Sequence, residues 1–321
     1  MKTPLSIILI KTSSLGDVLH NLPVVTDICK NFPDAHIDWI VEENFAALPL
    51  LHPGVKHVIP VAIRRWRKSW WQARSEIQAS RRTLRARHYD LALDTQGLLK
   101  SALITRCIPA PRSGYGRNSA RESLASLFYD HTYAVGRNQH AVERNRQLAA
   151  QALGYTLVGA ADFGITAPAL ALPWRPPGPY AVLLHATSRD DKLWDEQNWI
   201  ALGRHLHQAG IGIVLPWGSE PERQRSERLR LAISGAIVPP RLDLQQAAAL
   251  LGSAHAVIGV DTGLSHLAAA LGVPTIGIYT ATDPGLTGLY TGKNTLNMGT
   301  AGAPPAVGAV IAAVRTLTDH V

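Results

Sequence analysis

The sequence predicts an α/β protein built as two halves, each a parallel sheet wrapped by helices. Three observations predict it. Short apolar strands alternate with longer helical stretches as far as Gly154. The alternation then stops at a stretch holding Pro168, Pro173, Pro176, Pro177 and Pro179. Beyond it the same alternation restarts. A length of 321 residues suits two domains.

Residues 5–11 are an apolar run and read as a buried strand, followed by a Thr-Ser-Ser-Leu-Gly loop and a helix from about Asp17. Residues 37–41 are a second strand, and 55–63 a third that Pro60 breaks. Residues 69–87 read as a helix, 91–94 as a buried strand, then Gly97 and a helix through Cys107. A polar helix over 139–153 ends at Gly154, a C-cap signal. The prolines can neither continue a helix nor enter a central strand, so 168–179 is expected to link a domain of 1–167 to one of 180–321. In the second half the strands are 180–185, 211–215, 256–260 and 275–279. The helices are 196–208, 221–233, 244–251, 264–271 and 306–317, the last free to pack back on the first domain. Strands alternating with helices imply parallel sheets covered on both faces.

The net charge of +8 is local. Between Ile63 and Arg87 stand Arg64, Arg65, Arg67, Lys68, Arg74, Arg81, Arg82, Arg85 and Arg87, with Glu76 as the one acid. The other 23 basic and 23 acidic residues cancel. One anionic partner at one place is implied. Trp66, Trp70 and Trp71 lie in the same segment and suit either a core or an interface. A nucleic-acid partner is disfavoured by the neutral remainder and by the lack of a recognised motif. Cys29 and Cys107 lie far apart without CxxC spacing, so neither a disulfide framework nor a thiolate metal site is expected. No run approaches the ~20 apolar residues that span a bilayer, and the first apolar run lacks the features of a leader. A cytoplasmic protein is expected.

In open α/β sheets ligands bind beyond the carboxyl ends of strands, so four loops matter. Lys11–Asp17 offers the hydroxyls of Ser13 and Ser14, a glycine and the Asp17 carboxylate at a helix start. Asp17 there is either a helix cap or a catalytic acid or base. In His185–Trp194, Thr187, Ser188 and Lys192 either hold a phosphate or form a solvated turn. In Val260–Ala270 a strand runs through Asp261, Thr262, Gly263 and Leu264 into a helix whose free N–H groups suit a diphosphate, with His266 one turn on. Pro216–Glu222 ends in Glu222, either a first-turn acid or a ribose ligand. No GxGxxG after the first strand, HExxH, DxD or GxSxG occurs. His205 and His207 do not share a helix face, so no metal site is expected.

At these loops the sequence resembles the ADP-heptose:lipopolysaccharide heptosyltransferases, glycosyltransferase family 9. The resemblance rests on Lys11–His20, on the Val58–Lys68 stretch with its Arg-Arg-Trp-Arg-Lys, on His185–Lys192 and on Val260–His266, and covers almost the whole chain. It implies a GT-B fold, two Rossmann-like domains with a cleft between them. It implies inverting transfer of L-glycero-D-manno-heptose from ADP-heptose to the Kdo of Kdo2-lipid A, with no cofactor or metal. Carried over by position, Asp17 is the base, with Ser13 and Ser14 beside it. Thr187, Ser188, Lys192, Thr262, Gly263, Leu264 and His266 take the phosphates, Glu222 the ribose, Asp261 the donor sugar and Leu242 the adenine. Arg64, Arg65, Arg67 and Lys68 form the acceptor surface, at the cytoplasmic face of an anionic inner membrane. Leu242 stands where close relatives have Met, and Thr280-Ala281-Thr282 where many members have Gly-Pro-Thr. A glycine permits backbone shapes that threonine resists, so the shape of that loop is open.

Overall fold

The structure is a computed structural model that describes residues 4–69, 71–187, 189–290 and 292–318. The chain divides into two compact units, one ending at Ile165 and the other starting at Thr166.

The first unit holds strands β1 (Ser6–Ile10), β2 (His36–Glu42), β3 (Val55–Val61), β4 (Leu91–Asp94), β5 (Arg112–Tyr115) and β6 (His131–Tyr133). They pair in the order β3-β2-β1-β4-β5-β6, every neighbour parallel. The helices are α1 (Leu15–Leu19), α2 (Leu22–Asn31), α3 (Ile63–Trp66), α4 (Arg74–Arg85), α5 (Leu99–Thr105) and α6 (Ala141–Leu153). Ile7, Ile8, Leu9 and Ile10 are all fully buried, as a central parallel strand requires. One face packs Ile8, Ile10 and Ile40 against Leu84 of α4 and Ile104 of α5. On α2 and α6, Asp27 and the buried Arg146 form an ion pair at 2.8 Å. Gly154 at φ 75° closes α6, where a left-handed residue without Cβ is needed.

Three expectations change here. Pro60 does not break its strand. β3 is the sheet edge, where a missing N–H costs no ladder bond. The first helix begins at Leu15 with Ser14 as N-cap, so Asp17 is its third residue and not its cap. The helix expected over 69–87 is shorter, α4 over Arg74–Arg85, and a short helix that was not expected, α3, precedes it at Ile63–Trp66.

The second unit holds β7 (Tyr180–Leu184), β8 (Gly212–Val214), β9 (Ala256–Val260), β10 (Thr275–Ile278) and β11 (Thr295–Met298), parallel in the order β11-β10-β9-β7-β8. Its helices are α7 (Glu196–Gln208), α8 (Glu220–Ala232), α9 (Leu244–Gly252), α10 (Gly263–Ala270), α11 (Pro284–Thr287) and α12 (Val307–Thr318). Val310 and Val314 of α12 lie in the core formed with α7, α8 and the sheet. The last helix therefore packs on its own unit. The proline-rich stretch also packs with the second unit: Ala167 lies against Gly252 at the end of α9, and Pro179 O accepts from Gly212 N–H.

Each sheet has one point where successive strands depart in opposite directions. In the first unit it lies between β1 and β4, in the second between β7 and β9. Crevices form at such points outside the carboxyl ends of the strands.

Candidate active site

In the first unit the loop after β1 crosses its switch point and is pinned from both sides. Gln96, just beyond β4, accepts from Thr12 N–H (3.0 Å) and Ser13 N–H (3.2 Å) through Oε1. Trp39 Nε1 donates to Lys11 O at 3.1 Å. Lys100 Nζ on α5 donates to Ser13 Oγ at 2.8 Å. The loop thus delivers Ser14 to the N-cap of α1 and Asp17 to its first turn, where the helix dipole favours a carboxylate.

The Asp17 carboxylate accepts from Ser14 N–H at 3.1 Å and is gripped by both terminal nitrogens of Arg121, at 2.5 and 3.1 Å. Burial alone would raise its pKa. The charges of Lys11 and Arg121, with the hydrogen bonds from Arg121 and Ser14, outweigh burial and hold it below the usual carboxylate range. Asp17 is therefore ionised at neutral pH. Lys11 is buried beneath the loop, donating to Thr95 O (2.7 Å) and Asn145 Oδ1 (3.3 Å). Its burial lowers its own pKa to about 8, against the pull of Asp17.

The basic segment begins on α3. Arg65 is taken up by Glu43 and Glu76, at 3.0 and 2.7 Å, so its charge is already paired. Arg64, Arg67 and Lys68 are exposed. Arg64 lies over the Phe45 ring at 5.7 Å. Burial lowers the pKa of Lys100, and that amine also senses Glu42, Arg64, Asp17 and Arg67. Arg64 and Arg67 thus stand in the field of the Ser13–Asp17 loop. Arg87 turns inward to Asp38 at 2.5 Å. Trp66 packs on the core, Trp71 is exposed under Arg74 at 4.3 Å, and Trp70 lies outside the described residues.

In the second unit the loops after β7 and β9 meet at Asp261. Thr187 Oγ1 donates to Asp261 O at 3.0 Å. Asp261 Oδ2 accepts from Lys192 Nζ at 2.7 Å and from Thr282 Oγ1 at 3.0 Å. His266 Nε2 stands 3.8 Å from Asp261 Oδ1. Burial raises the Asp261 pKa, but His266, Lys192 and Thr282 outweigh it and hold it well below the usual range. Thr262 caps α10, leaving the first N–H groups at Gly263 and Leu264 without helical acceptors. A Cβ on Gly259 would fall 2.2 Å from Ser265 Oγ, so glycine there lets α10 seat on β9. Ser188 lies outside the described residues.

Glu222 sits in the first turn of α8, beyond β8, with Oε2 accepting from Gly218 N–H at 2.7 Å. Trp217 Nε1 donates to Pro239 O at 2.8 Å, tying this loop to the segment that leads to the half-buried Leu242. In the Thr280-Ala281-Thr282 loop no glycine is needed, since no described non-glycine residue has positive φ. Thr280 Oγ1 donates to Asp191 O at 2.8 Å, which fastens the Lys192 turn.

The structure brings Ser13, Ser14 and Asp17 together in one unit, and Thr187, Lys192, Asp261, Thr262, Gly263, Leu264 and His266 in the other. Sequence reasoning gave no role to Lys11, Lys100 or Arg121. A lysine ending an otherwise apolar strand was the visible signal for Lys11. Arg121 lies in irregular chain after β5 with no periodicity to reveal it.

The sequence profile of glycosyltransferase family 9 (heptosyltransferase) matches residues 77–310. Lipopolysaccharide heptosyltransferase 1 of Pseudomonas aeruginosa is 48% identical over 297 residues, covering 91% of this chain and 83% of its own. The E. coli heptosyltransferase WaaC with ADP superposes with a TM-score of 0.91 at 43% identity, over 98% of this chain and 100% of that one. The same E. coli enzyme with ADP-2-deoxy-2-fluoro heptose gives 0.86 at 42% identity, over 98% and 99%. With two parallel α/β units of this topology, the fold is of the GT-B class, and the chain belongs to glycosyltransferase family 9, the heptosyltransferases.

Proposed function

We propose that this chain transfers L-glycero-D-manno-heptose from ADP-heptose to the Kdo of Kdo2-lipid A, inverting the anomeric centre. The observation that carries the reading is the Asp261 cluster at the second switch point, beside the α10 N-terminus. A diphosphate needs fixed donors and a cation there, and a relative at 42% identity carries an ADP-heptose analogue. Lys192 and the Gly263 and Leu264 N–H groups take the charge of the departing ADP. Thr187 and His266 border the same turn, with Ser188 next in sequence. Glu222 takes the ribose hydroxyls and Leu242 lies against the adenine.

Asp17 is the base. As the acceptor hydroxyl attacks the anomeric carbon, its proton passes to the Asp17 carboxylate while the bond to the diphosphate breaks. Ser13 and Ser14 shape the turn beside it. General-base assistance of this kind amounts to about 10²–10⁴-fold.

Arg64, Arg67 and Lys68 bind the anionic acceptor and hold the protein against an anionic inner-membrane surface on the cytoplasmic side. Arg65 contributes by positioning α3, because Glu43 and Glu76 hold its charge. Peripheral attachment is in keeping with the helices, none of which, among the described residues, is long and apolar enough to cross a membrane.

Competition assays test the substrate pair. Turnover is expected with ADP-heptose and Kdo2-lipid A, with little competition from an acceptor that already carries heptose or from other nucleotide sugars. Faster transfer to the heptosylated acceptor would assign the chain a later step. EDTA is expected to leave turnover unchanged; loss restored by Mg²⁺ would replace Lys192 with a metal in the account.

A further inference from the structure

A second polar cluster lies on the edge of the first sheet, toward the amino ends of β2 and β3 and so away from the Asp17 loop. His36 and Asp38 are two residues apart on β2 and share a face. The β2–β3 register shifts between Ile37, opposite Val55, and Asp38, opposite His57. Lys56 is the extra residue. The bulge thus sets an imidazole opposite Asp38 where an unshifted ladder would set an ammonium. As a result His36 Nε2 and His57 Nδ1 each stand 3.0 Å from Asp38 Oδ1, and the three ligand atoms all lie within 4.8 Å of one another. The carboxylate is buried at 1% exposure, while the two imidazoles reach solvent at 41% and 52%. The other carboxylate oxygen is held by Tyr89 OH at 2.7 Å and Arg87 at 2.5 Å, so Oδ1 is turned to the histidines.

Two imidazoles and one carboxylate, with the carboxylate fixed from behind, are the donor set of a borderline divalent transition metal. Tetrahedral Zn²⁺ with ligands at about 2.0–2.1 Å sets neighbouring ligand atoms roughly 3.3 Å apart, within a small rotation of the spacing seen here. Mg²⁺ and Ca²⁺ want oxygen ligands and do not fit. Arg87 offsets the Asp38 charge, so binding is moderate and solvent completes the coordination.

We propose that His36, Asp38 and His57 form a structural site for a divalent transition metal, Zn²⁺ foremost, that clips the edge strand β3 to β2. Spacing along the sequence does not reveal it, because one ligand comes from across the ladder through a bulge.

Titrating the metal-stripped full chain with Co²⁺ and then Zn²⁺ tests it. One equivalent of Co²⁺ should give the visible band of a four-coordinate site, which Zn²⁺ abolishes, and Zn²⁺ but not Mg²⁺ should raise the thermal midpoint by a few degrees. His57→Ala should weaken binding at least about tenfold. His36→Gln, which keeps a polar group facing Asp38, should do the same and covers the case in which His57→Ala does not fold. Failure of the parent chain to bind Co²⁺ or Zn²⁺ at sub-millimolar concentration overturns the proposal. So does undiminished binding by whichever variants fold.

Discussion

At the scale of single residues, the proposed chemistry of the first unit turns on three charges. Asp17 is held ionised by Lys11 and Arg121 in spite of burial. Asp17→Asn keeps the shape and the Ser14 contact but removes the proton acceptor. Its kcat should fall by about 10²–10⁴-fold with little change in donor affinity, measured by steady-state kinetics; near-parental turnover would remove Asp17 from the mechanism. Lys11 supplies a pH signature. Burial holds its folded pKa at about 8, below the ordinary lysine value of 10.5, so between those values the unfolded chain holds more protons. Stability should therefore rise as pH climbs through that window, and the rise should shrink in Lys11→Met. The same substitution removes a cation beside Asp17, so the acid limb of kcat should move to higher pH. Unchanged limbs in the pH–rate profile would show that Lys11 does not act on Asp17. Asp17 was legible in the sequence because a carboxylate follows a strand and a glycine. Arg121 was not, because a contact over that chain separation leaves no local pattern.

At the scale of elements, the segment from α3 to α4 joins two kinds of arginine that the sequence cannot distinguish. Replacing Arg64, Arg67 and Lys68 together with neutral residues should raise the acceptor KM and leave donor binding unchanged. Arg65→Ala should affect the acceptor less, since it frees Glu43 and Glu76 instead. An equal KM effect from Arg65 alone would contradict the division. Elsewhere α2 and α6 are joined by the Asp27–Arg146 pair, both partners buried. Asp27→Ala leaves a buried guanidinium with a poorer set of partners, and chemical denaturation should show a loss of about 3–5 kcal/mol. The long helices and central strands were legible because their periodicity is strong. β5, β6 and β11 were not: RSGY, HTY and TLNM are short, flank the sheet centres and carry little apolar pattern. Pro60 misled for a related reason, since a sequence does not say which strand is the edge.

At the scale of the whole molecule, two sheets of different strand order place the proposed work in separate units. The 3-2-1-4-5-6 order puts the Ser13–Asp17 loop at the first switch point. The order β11-β10-β9-β7-β8 puts Thr187 and Asp261 at the second. The alternation of elements and the restart after the prolines made this two-part plan legible. The strand order was not, because it depends on which edges pair. The central claim is that one heptose passes from ADP to the acceptor with Asp17 taking the proton. Its most direct test is mass spectrometry of Kdo2-lipid A after incubation with ADP-heptose and either the parent chain or Asp17→Asn. The account predicts one added heptose with the parent chain and, at the same time point, almost none with the variant. An acceptor of unchanged mass with the parent chain, or equal conversion by both proteins, would contradict it.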